Sequence, residues 1–194
     1  ATGGTPSNEA SAVTVNSITA DYATLSAAEA GASDASHLNT SDLVTATTIL
    51  NLVCYAGASA DTSSATINDW TTSADYYVHA YVANGGTQSL SVNRHAGVWD
   101  SAKYYLSVAS GTADLILGDN YCRLTGFQTT GAIVGIYSIG ANYITISDCI
   151  VTHSSGTPGY GIKILGSGLN RADIKNCIVY GSFGRGICRD YDGS

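Results

Sequence analysis

Two carboxylates stand near the end of the chain. Asp190 and Asp192 are two residues apart in "CRDYDGS" (188–194), and on a strand that spacing puts both side chains on one face. Carboxylates about 5 to 9 Å apart can serve as acid and base, or acid and nucleophile, in glycoside hydrolysis. This is the best candidate catalytic pair, although a polar turn closing a repeat accounts for the same residues. A second cluster lies in "NRHAGVWD" (93–100), where Arg94, His95, Trp99 and Asp100 could hold a sugar or a neighbouring chain. The four histidines, 37, 79, 95 and 153, are scattered, and no Ser-His-Asp or Cys-His arrangement is suggested. The five cysteines, Cys54, Cys122, Cys149, Cys177 and Cys188, contain no C-x-x-C and no Cys/His ligand spacing. Neither a zinc site nor a secreted disulfide framework is expected from them. They read as small buried apolar residues, and no metal and no cofactor is expected.

Tyrosine is the other signal, with 13 against 2 Phe. An exposed tyrosine offers an apolar face and a wet hydroxyl, which suits a sugar or another subunit. Tyr121, Tyr137, Tyr143 and Tyr160 are the ligand or interface candidates, together with Arg94, His95 and Trp99. A plain surface ladder would also explain them.

Composition bounds the partners. Net charge is −7, and charged residues make up 12% against about 25% in an average domain. Residues 1–120 hold eleven acids and two bases, Arg94 and Lys103; residues 121–194 hold four acids and six bases. An acidic chain without a Lys/Arg run is a poor nucleic-acid binder. The mildly basic C-terminal part could meet an anionic glycan, or be a solvated surface. No run approaches the 18 apolar residues of a membrane span, so no membrane partner is expected.

These residues have to be positioned by something, and the sequence repeats itself. "ISDCIV" (146–151) returns as "IKNCIV" (174–179). Aligning "DNYCRLTGFQT" (119–129), "ANYITISDCIVT" (141–152) and "LNRADIKNCIVY" (169–180) puts Asn120, Asn142 and Asn170 in one column and Leu124, Ile146 and Ile174 in another. Phe127, Cys149 and Cys177 share a third, and Tyr121 falls over Tyr143. The register runs on through "VGIY" (134–137), "YGIKI" (160–164) and "RGIC" (185–188), aligning Gly135, Gly161 and Gly186. Two motifs recurring in order at about 22 to 28 residues, with length variation confined to segments such as 153–159, indicate a solenoid. Short alternating strands and Gly/Asn turns select an all-β parallel β-helix over helical repeats. The Asn column is then an internal ladder, the Ile columns the core, and Cys149 over Cys177 an apolar stack.

The expected organisation is an extended tail (1–18), an N-terminal capping region with first coils (19–103), and β-helix coils (104–194). "TLSAAEAG" (24–31) reads as a short capping helix with Thr24 or Ser26 at its start and Gly31 at its stop. Strands are expected near 48–55, 64–68, 76–82 and 104–108. The last repeat stops before its next Asn column, so a longer parent chain is expected.

Residues 104–194 resemble the right-handed parallel β-helix shared by pectate lyases, polygalacturonases and many phage tailspikes. Upstream, "DYATLSAAEA" (21–30), "DLVTATTILNLVCYAG" (42–57), "INDWTTSADYYVHAYV" (67–82) and "RHAGVWDSAKYYLSV" (94–108) are similar to N-terminal segments of β-helix proteins from phages and environmental genomes. The resemblance covers about 170 residues, is specific for fold and weak for function, and supplies the right hand. It also implies a capping role for the 93–100 cluster. The enzyme patterns of that superfold are incomplete here. Asp148 aligns with Gly126 and Asn176, so no acidic calcium column forms. Asp173, Lys175 and Lys163 have no matching carboxylate partner, and "GIKI" (161–164) only superficially resembles an Arg-Ile-Lys signature. The expectation is a non-enzymatic structural or recognition protein on a phage particle: a decoration, fibre or tailspike-type subunit at the virion surface. Its expected partners are other virion proteins or itself, as a homo-oligomer such as a trimer, and a surface polysaccharide. The alternatives are the N-terminal part of a secreted polysaccharide lyase or glycoside hydrolase, and a bacterial surface adhesin.

Overall fold

The computed structural model describes residues 20–85, 92–131, 133–153, 159–166 and 171–190. The expected tail at 1–18, the loop interior at 154–158, Asn170 and Asp192 lie outside the described residues.

One short helix precedes the strands. α1 (Leu25–Gly31) is capped by Thr24, whose extended backbone lets its Oγ1 accept the Ala27 N–H at 3.1 Å. Its buried face is Leu25 and Gly31. A side chain at 31 would meet the ring of Tyr22, which packs directly against the glycine.

The strands follow as β1 (Leu50–Cys54), β2 (Ala65–Ile67), β3 (Val78–Val82), β4 (Ala113–Leu117), β5 (Cys122–Thr125), β6 (Gln128–Thr129), β7 (Val134–Ile139), β8 (Ile144–Ser147), β9 (Ile150–His153), β10 (Gly159–Leu165), β11 (Ala172–Lys175), β12 (Ile178–Gly181) and β13 (Phe183–Asp190). All named pairings are parallel. They build three sheets, ordered β1-β3-β5-β8-β11, β13-β10-β7-β4-β2 and β12-β9-β6. Alternation along each strand sends one parity inward. In the first sheet, Leu52, Ala80, Leu124, Ile146 and Ile174 pair in succession. In the second, Ala65, Leu115, Ile136, Ile162 and Ile187 do the same. Apart from Ile187, which is exposed at the end of its sheet, these columns meet in one core with Phe127, Leu43, Leu106 and Trp70. Each fully buried Leu or Ile contributes about 1.5–3 kcal/mol of transfer free energy.

The sheets are packed so closely that the glycine column has a steric cause. A Cβ at Gly135 would strike Val151 and the Gly161 carbonyl; one at Gly161 would strike Val179 and the Gly186 carbonyl. Val151 and Val179 belong to the third sheet, so glycine at this column lets the second sheet lie against it.

These observations correct the expected right-handed parallel β-helix with a capped N-terminus. The strands form three separate parallel sheets of five, five and three strands rather than a β-helix solenoid. The chain bends at residues of positive φ, among them Tyr121, Gly126, Tyr143, Asp148 and Asn176, and each bend interrupts the ladder. Moreover, among the described residues the passes before residue 122 give no strand to the third sheet. They reach that region through the bridges Asp61↔Leu106 and Leu106↔Thr129 and through the Gln128 side chain, which bonds to Asp100 and Tyr104, and the strand expected at 104–108 reduces to the two bridges of Leu106. A repeat period specifies which residues stack; it does not specify how many faces a pass is divided into.

Candidate recognition site

The first sheet turns a mixed polar face outward. Outward positions are Asn51 and Val53 on β1, His79 and Tyr81 on β3, Arg123 and Thr125 on β5, Thr145 and Ser147 on β8, and Asp173 and Lys175 on β11. Register lines up His79, Arg123, Thr145 and Asp173 in one row. Within the face, His79 Nε2 meets Thr125 Oγ1 at 3.1 Å, and Thr125 Oγ1 meets Ser147 Oγ at 3.2 Å. Burial, and then the Arg123 charge, hold the His79 imidazole below its ordinary pKa.

Along one margin of this face runs an aromatic ladder. Tyr121 and Tyr143 stack with centroids 4.9 Å apart and planes within 6°. Tyr77 occupies the same place one strand earlier, because Val78 and Cys122 are partners. The Arg123 guanidinium lies 3.5 Å from the centre of the Tyr77 ring, a cation–π contact. Tyr121 and Tyr143 have φ of 52° and 58°. The left-handed region costs a residue with a Cβ about 1–2 kcal/mol, and glycine would avoid that cost. Such strain collects at functional sites. Tyr143 remains 53% exposed.

The ladder opens into a groove of about 380 Å³ lined by Tyr121, Arg123, Tyr143, Arg171, Asp173 and Lys175, among others. Three cations face one carboxylate. Asp173 is 3.4 Å from Arg171 and 3.9 Å from Lys175, whose side chains are 68% and 67% exposed. Exposed pairs of that kind are worth about 0–1 kcal/mol, so little free energy holds either cation away from an incoming anion.

The other candidate residues have structural partners. Arg94 forms a 2.8 Å ion pair with Asp148, and His95 Nε2 lies 2.8 Å from the Asp148 carbonyl. Asn176 Nδ2 donates to the Asp148 carboxylate. Together they strap the 94–97 segment over the bend at Gly126, beside a second groove of about 360 Å³. Trp99 packs edge-on against Tyr105 at 5.4 Å. Tyr137 is only 9% exposed, and Lys163 sits over both Tyr137 and Tyr160 at 5.5 and 4.5 Å. Asn120 Oδ1 accepts the Asn142 N–H at 2.7 Å, while the Tyr121 N–H donates to the Asn142 carbonyl at 2.9 Å. Asp190 is engaged by Lys163 at 3.2 Å and Arg185 at 2.8 Å, and its expected partner Asp192 lies outside the described residues.

All five cysteines are free thiols. Cys54, Cys122 and Cys149 are buried; Cys177 and Cys188 are half-buried. A hydrogen bond with Cys149 brings the Cys177 thiol down to about 7 against the opposing effect of burial, while the same contact and full burial push Cys149 up. Among the described residues, no group of three His, Cys, Asp or Glu side chains could hold a metal ion, and no helix is long and apolar enough to cross a membrane.

Tyr77, Arg123, Arg171 and Lys175 were not among the sequence candidates, yet a signal existed. "YVHA" (77–80), "YCRL" (121–124) and "YITI" (143–146) share a Tyr-apolar-polar-apolar pattern, and "RADI" (171–174) puts Arg in the Tyr slot. Comparison with protein-family models, curated proteins and solved structures finds no match in any of the three.

Proposed function

We propose that this chain is a non-enzymatic structural and recognition protein of a phage-particle surface, and that the outward face of the first sheet recognises a surface glycan. The observation that carries the recognition is the Tyr77–Tyr121–Tyr143 ladder beside Arg123. Its rings are held in register by three neighbouring strands, and two of them occupy a strained backbone. The stacked rings leave edges and hydroxyls outward, which can hydrogen-bond the O–H groups that sugar rings present. The partly buried ion pairs of Asp190 favour a structural role for that carboxylate. The placement on a particle rests on the sequence resemblance, as does self-association, for example as a trimer.

Immunogold electron microscopy of the source material, with an antibody raised to residues 104–194, tests the location. Label on capsids, fibres or tails is the expected result. Bare particles beside a labelled soluble fraction would overturn the virion assignment.

A further inference from the structure

We infer that the groove beside the tyrosine ladder is a binding site for a polyanionic glycan, one bearing carboxylate or sulfate groups. This rests on the glycan-recognition reading above and adds the charge and direction of the ligand.

Three observations converge. First, the groove reverses the sign of its molecule: Arg123, Arg171 and Lys175 face it with Asp173 alone opposing, in a chain of net charge −7. Second, the cations are spaced along the stack. Arg123 is on β5, while Arg171 just precedes β11 and Lys175 ends it, two strands further on. That separation is about 10 Å at the usual strand spacing. A glycan lying across the strands would meet aromatic rings at Tyr121 and Tyr143 and a cation at each end. Third, Arg171 continues the ladder in the next strand, one residue before Ala172, as Tyr143 is one residue before Ile144. A ring surface thus passes directly into a charged one.

A single-stranded nucleic acid would also bring negative charge and rings, but the ring geometry disfavours it. Tyr121 and Tyr143 already cover each other's faces, which leaves mainly edges and hydroxyls for hydrogen bonding and no gap between them for a base.

Dextran sulfate, alginate, neutral dextran and oligo(dT) are the probes, titrated against the whole chain by calorimetry at 50 and 500 mM NaCl. The expected result is binding of dextran sulfate or alginate that weakens at least tenfold at high salt, with dextran weaker and oligo(dT) no better than dextran. The double variant Arg171→Gln/Lys175→Gln should lose at least tenfold in affinity for the anionic glycan. These two side chains are more than half exposed, so the variant keeps its fold, and circular dichroism checks that. Tyr143→Gly relieves a left-handed tyrosine and should also lose at least tenfold.

Equal binding of dextran and dextran sulfate, with no loss in the double variant, would overturn the anionic inference and leave glycan recognition standing. No binding of any glycan would sink both. Oligo(dT) binding as tightly as dextran sulfate would replace the glycan by a non-selective polyanion site.

Discussion

Asp61 ties the N-terminal helix to the stacked sheets, and its removal gives a calculable loss. The side chain is buried, and its Oδ2 accepts the Leu25 N–H at the first turn of α1 and the Tyr104 hydroxyl, both at 2.9 Å. Its Oδ1 accepts the Ser63 N–H at 3.0 Å. Asp61→Ala leaves the buried Leu25 N–H and the buried Tyr104 hydroxyl without that acceptor. The nearby Cys54 thiol is too weak an acceptor to replace it. Each stranded donor costs about 1–3 kcal/mol, so the expected loss for two is about 2–6 kcal/mol, or about 4 to 24 °C in Tm for a chain of this size. Tyr104→Phe removes one donor and leaves Asp61 two, so it should cost about 1–2 kcal/mol. The double variant should then be less damaging than the sum of the single ones by 1 kcal/mol or more, since both act on one contact. Urea titration followed by tyrosine and tryptophan fluorescence measures all four species. An Asp61→Ala loss below 1 kcal/mol, or strict additivity, would refute the claim that this carboxylate holds the helix end to the stack.

Three further outcomes follow from the geometry. Gly161→Ala should destabilise by about 1–3 kcal/mol, because its Cβ meets Val179 and the Gly186 backbone; an unchanged urea midpoint would contradict that close approach. Iodoacetamide should modify Cys177, whose thiol the Cys149 hydrogen bond brings down, at a lower pH than Cys54, which burial pushes up to about 12; peptide mapping that finds Cys54 first would reverse the assignment. His79 has a folded pKa below its ordinary 6.5, so below that pH the unfolded chain takes up a proton that the folded one resists. Stability should therefore fall as pH drops through 6.5 and level off below the folded pKa. His79→Gln should flatten that slope, and an identical pH profile in the variant would exclude the histidine.

The repeat was legible because stacking demands like residues at like places. The Leu124, Ile146 and Ile174 column and the Gly135, Gly161 and Gly186 column could be read from spacing, and the register places the first in one row. The short helix was legible too, since a Thr cap and a Gly stop are local signals. The functional margin was half visible. Tyr121 over Tyr143 followed from alignment, whereas Tyr77 precedes Tyr121 by 44 residues, with a long insertion between the passes.

Periodicity and local chemistry therefore determined which residues repeat, which face inward and where the helix begins. Only the tertiary structure decided that the strands divide into three parallel sheets, because that depends on where the backbone bends and on how closely Val151 and Val179 approach the glycine column. It also decided which charges are already engaged. Arg94 is bound to Asp148 and Asp190 to Lys163 and Arg185, while Arg171 and Lys175 lie exposed beside the tyrosines. Ion pairing depends on distances between strands far apart in the chain, and no local pattern records them.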